Sequence, residues 1–359
     1  MKRFVLIYII VQCAIASFGQ HINTPDNFPD PNFRAFVEEY MGVEPGGEFT
    51  AEQAGEKTGR LDCSFRNIKL LDGIQFFTGI TELNCSFNNL TSLDVSYNPA
   101  LTKLECQYNQ LKHLNISNIA ALTTLACWYN QLTYLDVSKN TALTEIDCQY
   151  NQLTSLDVSN NHVLVTLSCN NNELTSLDIS NNPNIISLNV SSNQLTDLDV
   201  SKNISLYALS CSTNYITSLN VSNMEYLVQL DCSSNLLTDL DVSKNFSLTH
   251  LNCSNNYLTS LDVSNNTNLV HFYCSNNQLT SAPDLHLTPK PDGHIVDITN
   301  NNLDCDDYPD VMALLSQIGK PYYSPHMGYL LSGFFFSPQN GLDPYDCTSS
   351  VPGYQFYMR

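Results

Sequence analysis

The sequence predicts a solenoid of stacked coils, α/β in class but mostly β, with short parallel strands on one face and extended or 3-10 turns on the other. A unit of 21 residues recurs without a break from residue 80 to residue 268. Apolar residues hold fixed places in the unit, and ten of the thirteen cysteines share one of these places. Such a fixed pattern is typical of coils that bury their cores against one another.

The first part of the unit predicts a strand. Leu104 and Cys106 alternate with polar residues, which is the period-2 pattern of a short strand with one buried face. Apolar residues then direct the rest of the coil inward at Leu111, Leu114 and Ile116. One unit cannot enclose its own apolar positions, so neighbouring units must stack with parallel strands about 4.8 Å apart.

The cysteine row predicts buried, free thiols. Its members stand 21 residues apart from Cys85 to Cys169 and again from Cys211 to Cys274, and Val190 fills the gap between these runs. A site that accepts either cysteine or valine is a small apolar site in the core. Thiols of stacked coils all point the same way, so disulfides between neighbouring coils would distort the stack.

Two polar rows are predicted to shape the turns. Asn fills the ninth place of the unit from Asn88 to Asn277, where an interior amide can satisfy backbone groups as the chain leaves the strand. An Asp row with a Ser two residues later is expected to make local turn bonds. Its members are Asp94, Asp136, Asp157, Asp178, Asp199, Asp241 and Asp262. Calcium binding needs converging oxygens, and no cofactor or metal is predicted.

The unit Leu-x-x-Leu-x-Cys-x-x-Asn-x-Leu resembles the leucine-rich repeat. Its length, with Cys in place of the usual Leu, is similar to the cysteine-ladder repeats of the internalins, which are bacterial surface adhesins. The second half, Leu-Asp-Val-Ser-x-Asn, is similar to repeats in exported proteins of Bacteroidetes-type bacteria. The resemblance covers about residues 58–303 and implies a leucine-rich repeat solenoid with strands on its concave face, acting in protein binding or cell adhesion.

The region before the repeats predicts a leader and a cap. Residues 1–19 begin with basic residues, continue with a short apolar run and end in small residues, which predicts a secretory signal peptide. Residues 20–57 predict an N-terminal cap with a short helix, because Asp30 is a suitable N-cap and Pro31 a suitable first residue. Gly42 is the expected stop.

The solenoid of about twelve coils is expected to occupy 58–303, and a C-terminal cap 304–359. This cap predicts a helix over 307–319 and an aromatic tail. Cys305 and Cys347 lie outside the cysteine row and flank the cap. In an oxidising compartment they are expected to form a disulfide.

Composition excludes several partners. The formal charge of −20 repels phosphate backbones, so nucleic acid is not an expected partner. No stretch is long and apolar enough to predict a transmembrane segment. We therefore expect a monomer that is secreted or held at the cell surface, with the periplasm as the alternative in a Gram-negative cell.

A candidate ligand site follows the eighth place of the unit. Four aromatic residues succeed one another there, with the single tryptophan beside them and carboxylates and amides around them. Aligned rings offer a large rigid contact area at small entropic cost. The candidate residues are Phe87, Tyr108, Trp128, Tyr129 and Tyr150, with Glu105, Gln107, Glu145, Asp147 and Gln149. The alternative is that the rings only pack on one another and shield the turn.

A second candidate consists of His250 and His271, which hold the same strand position on adjacent coils near Tyr273. Two imidazoles alone are too few to define a metal site, and ordinary surface histidines are the alternative.

The sequence favours binding over catalysis. Ser and Asp recur because the coil needs them, and none of the familiar nucleophile, zinc or phosphate-loop motifs occurs. Three interpretations remain open. They are an exported adhesion module for a protein or glycan, a structural or envelope-associated spacer, and a carbohydrate-binding accessory protein.

Overall fold

Short parallel strands, one in each coil, run through the chain in sequence order. The computed structural model describes residues 19–286 and 295–303 and the backbone of 334–335. The predicted signal peptide, the helix over 307–319 and the disulfide between Cys305 and Cys347 lie outside the described residues. The chain divides into two compact parts between Leu164 and Val165. We call these parts the first unit and the second unit, and each contains several of the 21-residue repeats.

In the first unit, each strand pairs in parallel with the next one along the chain. The strands are β1 Gly59–Asp62, β2 Ile80–Asn84, β3 Lys103–Glu105, β4 Thr124–Ala126 and β5 Glu145–Asp147. From β2 to β5 the register joins residues 21 positions apart, as in Leu104 with Leu125. Leu104 is buried between half-buried neighbours, which confirms the predicted alternation.

The second unit repeats this arrangement. Its strands are β6 Thr166–Ser168, β7 Ser187–Asn189, β8 Ala208–Ser210, β9 Gln229–Asp231, β10 His250–Asn252, β11 His271–Tyr273, β12 Ile295–Asp297 and β13 Phe334–Phe335. They also pair in parallel and in chain order. The structure is therefore a parallel β-solenoid with few helices, as the sequence predicts.

The apolar places of the unit form the core. In the coil of residues 101–121 the apolar residues Leu101, Leu104, Cys106, Leu111, Leu114 and Ile116 are all buried. The ten described cysteines are buried thiols that form no disulfide with one another, which confirms the thiol prediction for the row. Desolvation raises the pKa of Cys106 to about 12, so its thiol stays protonated at neutral pH.

Asn side chains bond neighbouring coils together. The Nδ2 of Asn109 donates to the carbonyls of Cys85 at 3.0 Å and Cys106 at 3.1 Å. Its Oδ1 accepts from the Leu90 amide at 2.9 Å. One side chain thus satisfies backbone groups of two successive coils, which is the role predicted for the row.

A second amide row, not singled out from the sequence, lies on the far side of the coil. Asn140 is fully buried, and its Nδ2 donates to the carbonyls of Ile116 at 3.0 Å and Ile119 at 2.9 Å. Members of this row therefore hold the turns of successive coils together, as the ninth-place row holds the strand ends.

Helix α1, Pro31–Met41, covers the start of the first unit. Asp30 caps it by accepting from the amides of Asn32 and Phe33, and Gly42 ends it in the left-handed conformation, both as predicted. A capping box begins helix α2, Ala51–Gly55, and a single 3-10 turn, Ile74–Phe76, precedes β2. Within the described residues, no helix is long and apolar enough to cross a membrane.

Candidate functional site

The eighth place of each 21-residue repeat lies at a backbone turn with positive φ. Phe87, Tyr108, Tyr129 and Tyr150 have φ between 49° and 53°, the left-handed region in which side chains other than Asn, Asp and Gly are disfavoured. Polar residues fill the equivalent place in later coils, as at Asn171, Ser192, Thr213, Ser234, Asn255 and Asn276.

The turn places the aromatic rings in a continuous stack. Ring centroids of Phe87 and Tyr108 are 4.4 Å apart, those of Tyr108 and Tyr129 4.6 Å, and those of Tyr129 and Tyr150 4.1 Å. Phe65 extends the stack at its start, with its centroid 4.2 Å from that of Phe87. We call these five residues the aromatic column. The rings do pack on one another, yet Tyr129 remains 38% exposed and Phe65 70% exposed.

Phe65 is the site residue that the sequence reasoning missed. It belongs to the irregular first coil, which is 22 residues from the next instead of 21. The available signal was its place two residues after Cys63, the same offset that separates Phe87 from Cys85.

Trp128 lies flat against the side of the column. Its ring centroid is 4.7 Å from that of Tyr108, with 70° between the two ring planes. The corresponding values for Trp128 and Tyr129 are 5.6 Å and 65°. Both faces of the Tyr108 ring are already occupied by Phe87 and Tyr129, so the indole must meet the Tyr108 edge with one of its own faces. The opposite face of the half-buried Trp128 is therefore directed away from the column.

Two basic residues pair with three carboxylates beside the first coils. Arg60 lies 3.0 Å from Asp62, 3.5 Å from Glu82 and 3.1 Å from Glu105. Lys103, two residues before Glu105 in β3, contacts the Glu105 carboxylate at 3.1 Å. Predicted site residue Glu105 is thus engaged within the protein and is not an open acidic group.

The carboxylates of β5 differ, because Glu145 and Asp147 have no ion pair with any described residue. Asp147 accepts hydrogen bonds from the Gln149 side chain at 3.1 Å and the Gln149 amide at 3.4 Å. Desolvation nevertheless raises the pKa of Asp147, because a carboxylate that loses water without gaining a cation is destabilised. Glu145 is exposed at the opposite end of the strand.

Gln107 completes the predicted set beside Trp128. Its carbonyl accepts from the Phe87 amide at 3.0 Å, and its half-buried side chain has an Oε1 with no hydrogen-bond partner among the described residues. All ten predicted ligand-site residues therefore fall within the first unit, in β3 and β5 or just after the ends of β2 to β5. Which of them contact a ligand stays a prediction.

The second candidate contains two stacked imidazoles. Rings of His250 and His271 are 4.4 Å apart at 20°, so their in-plane nitrogen lone pairs run side by side and do not converge on one ion. Desolvation and His271 lower the pKa of His250. The pair lines a shallow concavity of about 470 Å³ that also includes Ala208, Ser210 and Asp231.

The Asp row makes the predicted turn bonds. Asp136 accepts from the Ser138 amide at 2.9 Å, and Asp241 accepts from Ser243 in the same way. These bonds with Ser lower the pKa of both carboxyls. In the described part of the chain, no three His, Cys, Asp or Glu side chains are grouped so as to hold a metal ion.

Repeat, strand register and buried thiols together define a leucine-rich repeat solenoid with a cysteine ladder. The chain is homologous to Internalin J of Listeria monocytogenes serotype 4b (strain F2365), with 40% identity over 80 residues. That match spans 22% of this chain and 9% of Internalin J. No known family profile matches the chain.

Solved structures agree with this assignment. The functional domain of InlJ from Listeria monocytogenes, which includes a cysteine ladder, superposes with a TM-score of 0.74 at 38% identity. The alignment covers 80% of this chain and 62% of that domain, so this chain spans less than two thirds of either relative. An internalin (inlF) from the same species shares the fold, with a TM-score of 0.67 at 20% identity over 87% of this chain and 100% of that one.

Proposed function

We propose that this protein is an exported, non-enzymatic binding or adhesion module that recognises a protein ligand with the strand face of its first unit, around the aromatic column and Trp128. Homology to Internalin J supports a binding role of this kind. The absence of converging catalytic groups in the sequence fits a binding surface better than an active site.

The observation that carries the proposal is the choice of residue at the eighth place. A left-handed backbone costs an aromatic residue about 1 kcal/mol more than a right-handed one, and Asn tolerates it better. The chain uses Asn at this place in other coils, as at Asn171 and Asn255. Five successive aromatic residues at a place suited to Asn therefore call for an explanation beyond the needs of the turn.

Ring stacking favours a protein over a glycan as the ligand. Inside the column, each ring covers the faces of its neighbours, so the open faces needed for a row of sugar rings are not available. What remains exposed is a rigid ridge of ring edges and tyrosine hydroxyls, a type of contact surface common at protein interfaces. A carbohydrate-binding role stays the second candidate because the outer face of Trp128 could accept one sugar.

The experiment is a screen of purified protein on arrays of host and bacterial surface proteins, glycans and mucins, with Trp128→Ala and Tyr129→Ala in parallel. Tyr134→Ala is the matched control, since Tyr134 is an exposed tyrosine of the same coil outside the column. Binding that both column variants lose and the control retains supports the proposal. Binding unchanged in all variants moves the site elsewhere, and no binding on any array favours a spacer role.

A further inference from the structure

The strand face beside Trp128 contains a gap with acidic walls. Parallel register places Ala126 between Glu105 on one side and Asp147 on the other. Strands in such a sheet are about 4.8 Å apart, so the two flanking backbones are separated by about 10 Å. A methyl group fills little of this space, and the indole of Trp128, two residues farther along, stands at the end of the gap.

The carboxylate on one side of the gap has cationic partners, and the carboxylate on the other side has none among the described residues. Arg60 and Lys103 both contact Glu105. Across Ala126, Asp147 has hydrogen bonds from Gln149 but no cation among the described residues, and Glu145 adds a second carboxylate on the same strand. Positive charge is therefore lacking beside Asp147, and a cationic ligand group would offset the desolvation cost of this carboxylate by forming an ion pair with it.

We infer that the gap over Ala126 receives a basic side chain, an arginine above all, from an extended segment of a protein partner. Its guanidinium would lie against the outer face of Trp128 and pair with Asp147. This inference rests on the proposed function and specifies the chemistry of the ligand.

Arginine fits better than the alternatives for three physical reasons. A planar guanidinium stacks on an aromatic face, whereas an ammonium is more strongly hydrated and makes only a point contact. Its forked donors match a carboxylate in two parallel bonds. A neutral sugar would leave the charge of Asp147 without a counterion.

Trp128 provides a specific signal for the test, because it is the only tryptophan of the chain. The full-length protein is titrated with a peptide of alternating arginine and glycine while tryptophan emission is recorded. A peptide with citrulline in place of arginine has nearly the same shape without the charge. The expected result is a saturable change with the arginine peptide and none with the citrulline peptide.

Variants separate a specific site from general attraction to an acidic protein. Asp147→Asn is expected to weaken binding of the arginine peptide about tenfold, while Glu225→Gln, which removes one exposed charge from the second unit, changes it less than about twofold. Circular dichroism checks that both variants fold.

Equal affinity in Asp147→Asn, an equal response to the citrulline peptide, or no response at all would each overturn the inference. If the arginine peptide fails while array binding still depends on Tyr129, the proposed function stands and only the basic ligand is wrong. If both tests fail, the proposed function falls as well.

Discussion

Tyr108 and Tyr129 lie face to face across neighbouring coils, with ring centroids 4.6 Å apart and planes only 6° from parallel. The stacking follows directly from the repeat, because equal places in successive coils are separated by one strand spacing. A solenoid therefore converts a residue that recurs every 21 positions into a continuous surface. In the first unit that surface is aromatic, and Trp128 lies against its side.

The buried thiols of the cysteine row are predicted to be unreactive towards alkylating reagents in the native protein. Full burial raises the pKa of Cys106 and Cys211 to about 12, and a protonated, enclosed thiol is neither nucleophilic nor accessible. Alkylation under native conditions followed by peptide mass mapping should find the described cysteines unmodified, and alkylation in denaturant should modify all of them. A recovered disulfide between Cys106 and Cys127 would show that the stacking is wrong.

The same row is predicted to tolerate valine. Since Val190 already holds this place in one coil, Cys106→Val should change the free energy of unfolding by less than about 1.5 kcal/mol. Cys106→Ser is the comparison, and it should be the more destabilising variant because it buries a hydroxyl without a prepared partner. Urea unfolding followed by circular dichroism measures both.

Most of the fold could be predicted from the sequence because every coil repeats the same local rules. The place of Cys106, the bonds made by Asn109 and the cap at Asp30 each follow from residue type and spacing alone. The irregular first coil hid Phe65, whose membership of the column depends on three-dimensional register as well as on sequence period.

The site was less predictable for a conformational reason. Sequence spacing places Tyr129 near the strand face, but the positive φ that turns its ring onto Tyr108 and Tyr150 is not evident from an aromatic residue. The pairing of Glu105 with Arg60 was equally hidden, because Arg60 lies two strands away in β1. Long side chains reach across a sheet in ways that a linear pattern does not record.

Asp30 is predicted to link the cap to the first unit in a pH-dependent way. Burial alone would raise its pKa, but amide donors from Lys69, Phe33, Leu70 and Asn32 together lower it. The ionised Asp30 carboxylate therefore stabilises the folded protein above the pKa of an unfolded chain, about 3.9. This stabilisation is lost as the pH falls through the lower pKa that the carboxyl has in the folded protein.

Asp30→Ala should cost about 3 kcal/mol at pH 7, because buried amides lose their acceptor. Asp30→Asn keeps one acceptor oxygen and should destabilise the protein less. The difference in the free energy of unfolding between this variant and the native protein should shrink below about pH 4. Urea unfolding at pH 7, 5 and 3 provides the comparison. A deficit that grows as the pH falls would contradict this account of the carboxylate.

Asp147 is predicted to behave in the opposite sense. Its raised pKa means that ionisation of this carboxyl costs more free energy in the folded protein than in the unfolded chain. The free energy of unfolding is therefore highest below the pKa of the unfolded chain and decreases as the pH rises through the pKa of the folded protein. Asp147→Asn should therefore stabilise the unliganded protein at pH 7, by on the order of 0.5 kcal/mol after solvent screening, and should have no such effect below pH 4. Thermal unfolding at both pH values tests this, and destabilisation at pH 7 would contradict it.

The central claim, that the aromatic column serves recognition, is tested most directly by measuring stability and binding together in Tyr129→Asn. Asn suits the left-handed turn, and this gain offsets part of the lost ring stacking, so the free energy of unfolding should change by about 1 kcal/mol or less. Binding to the partner found on the arrays, or to the arginine peptide, should be lost. A variant that binds normally but unfolds several kcal/mol more easily would show that the rings serve packing alone.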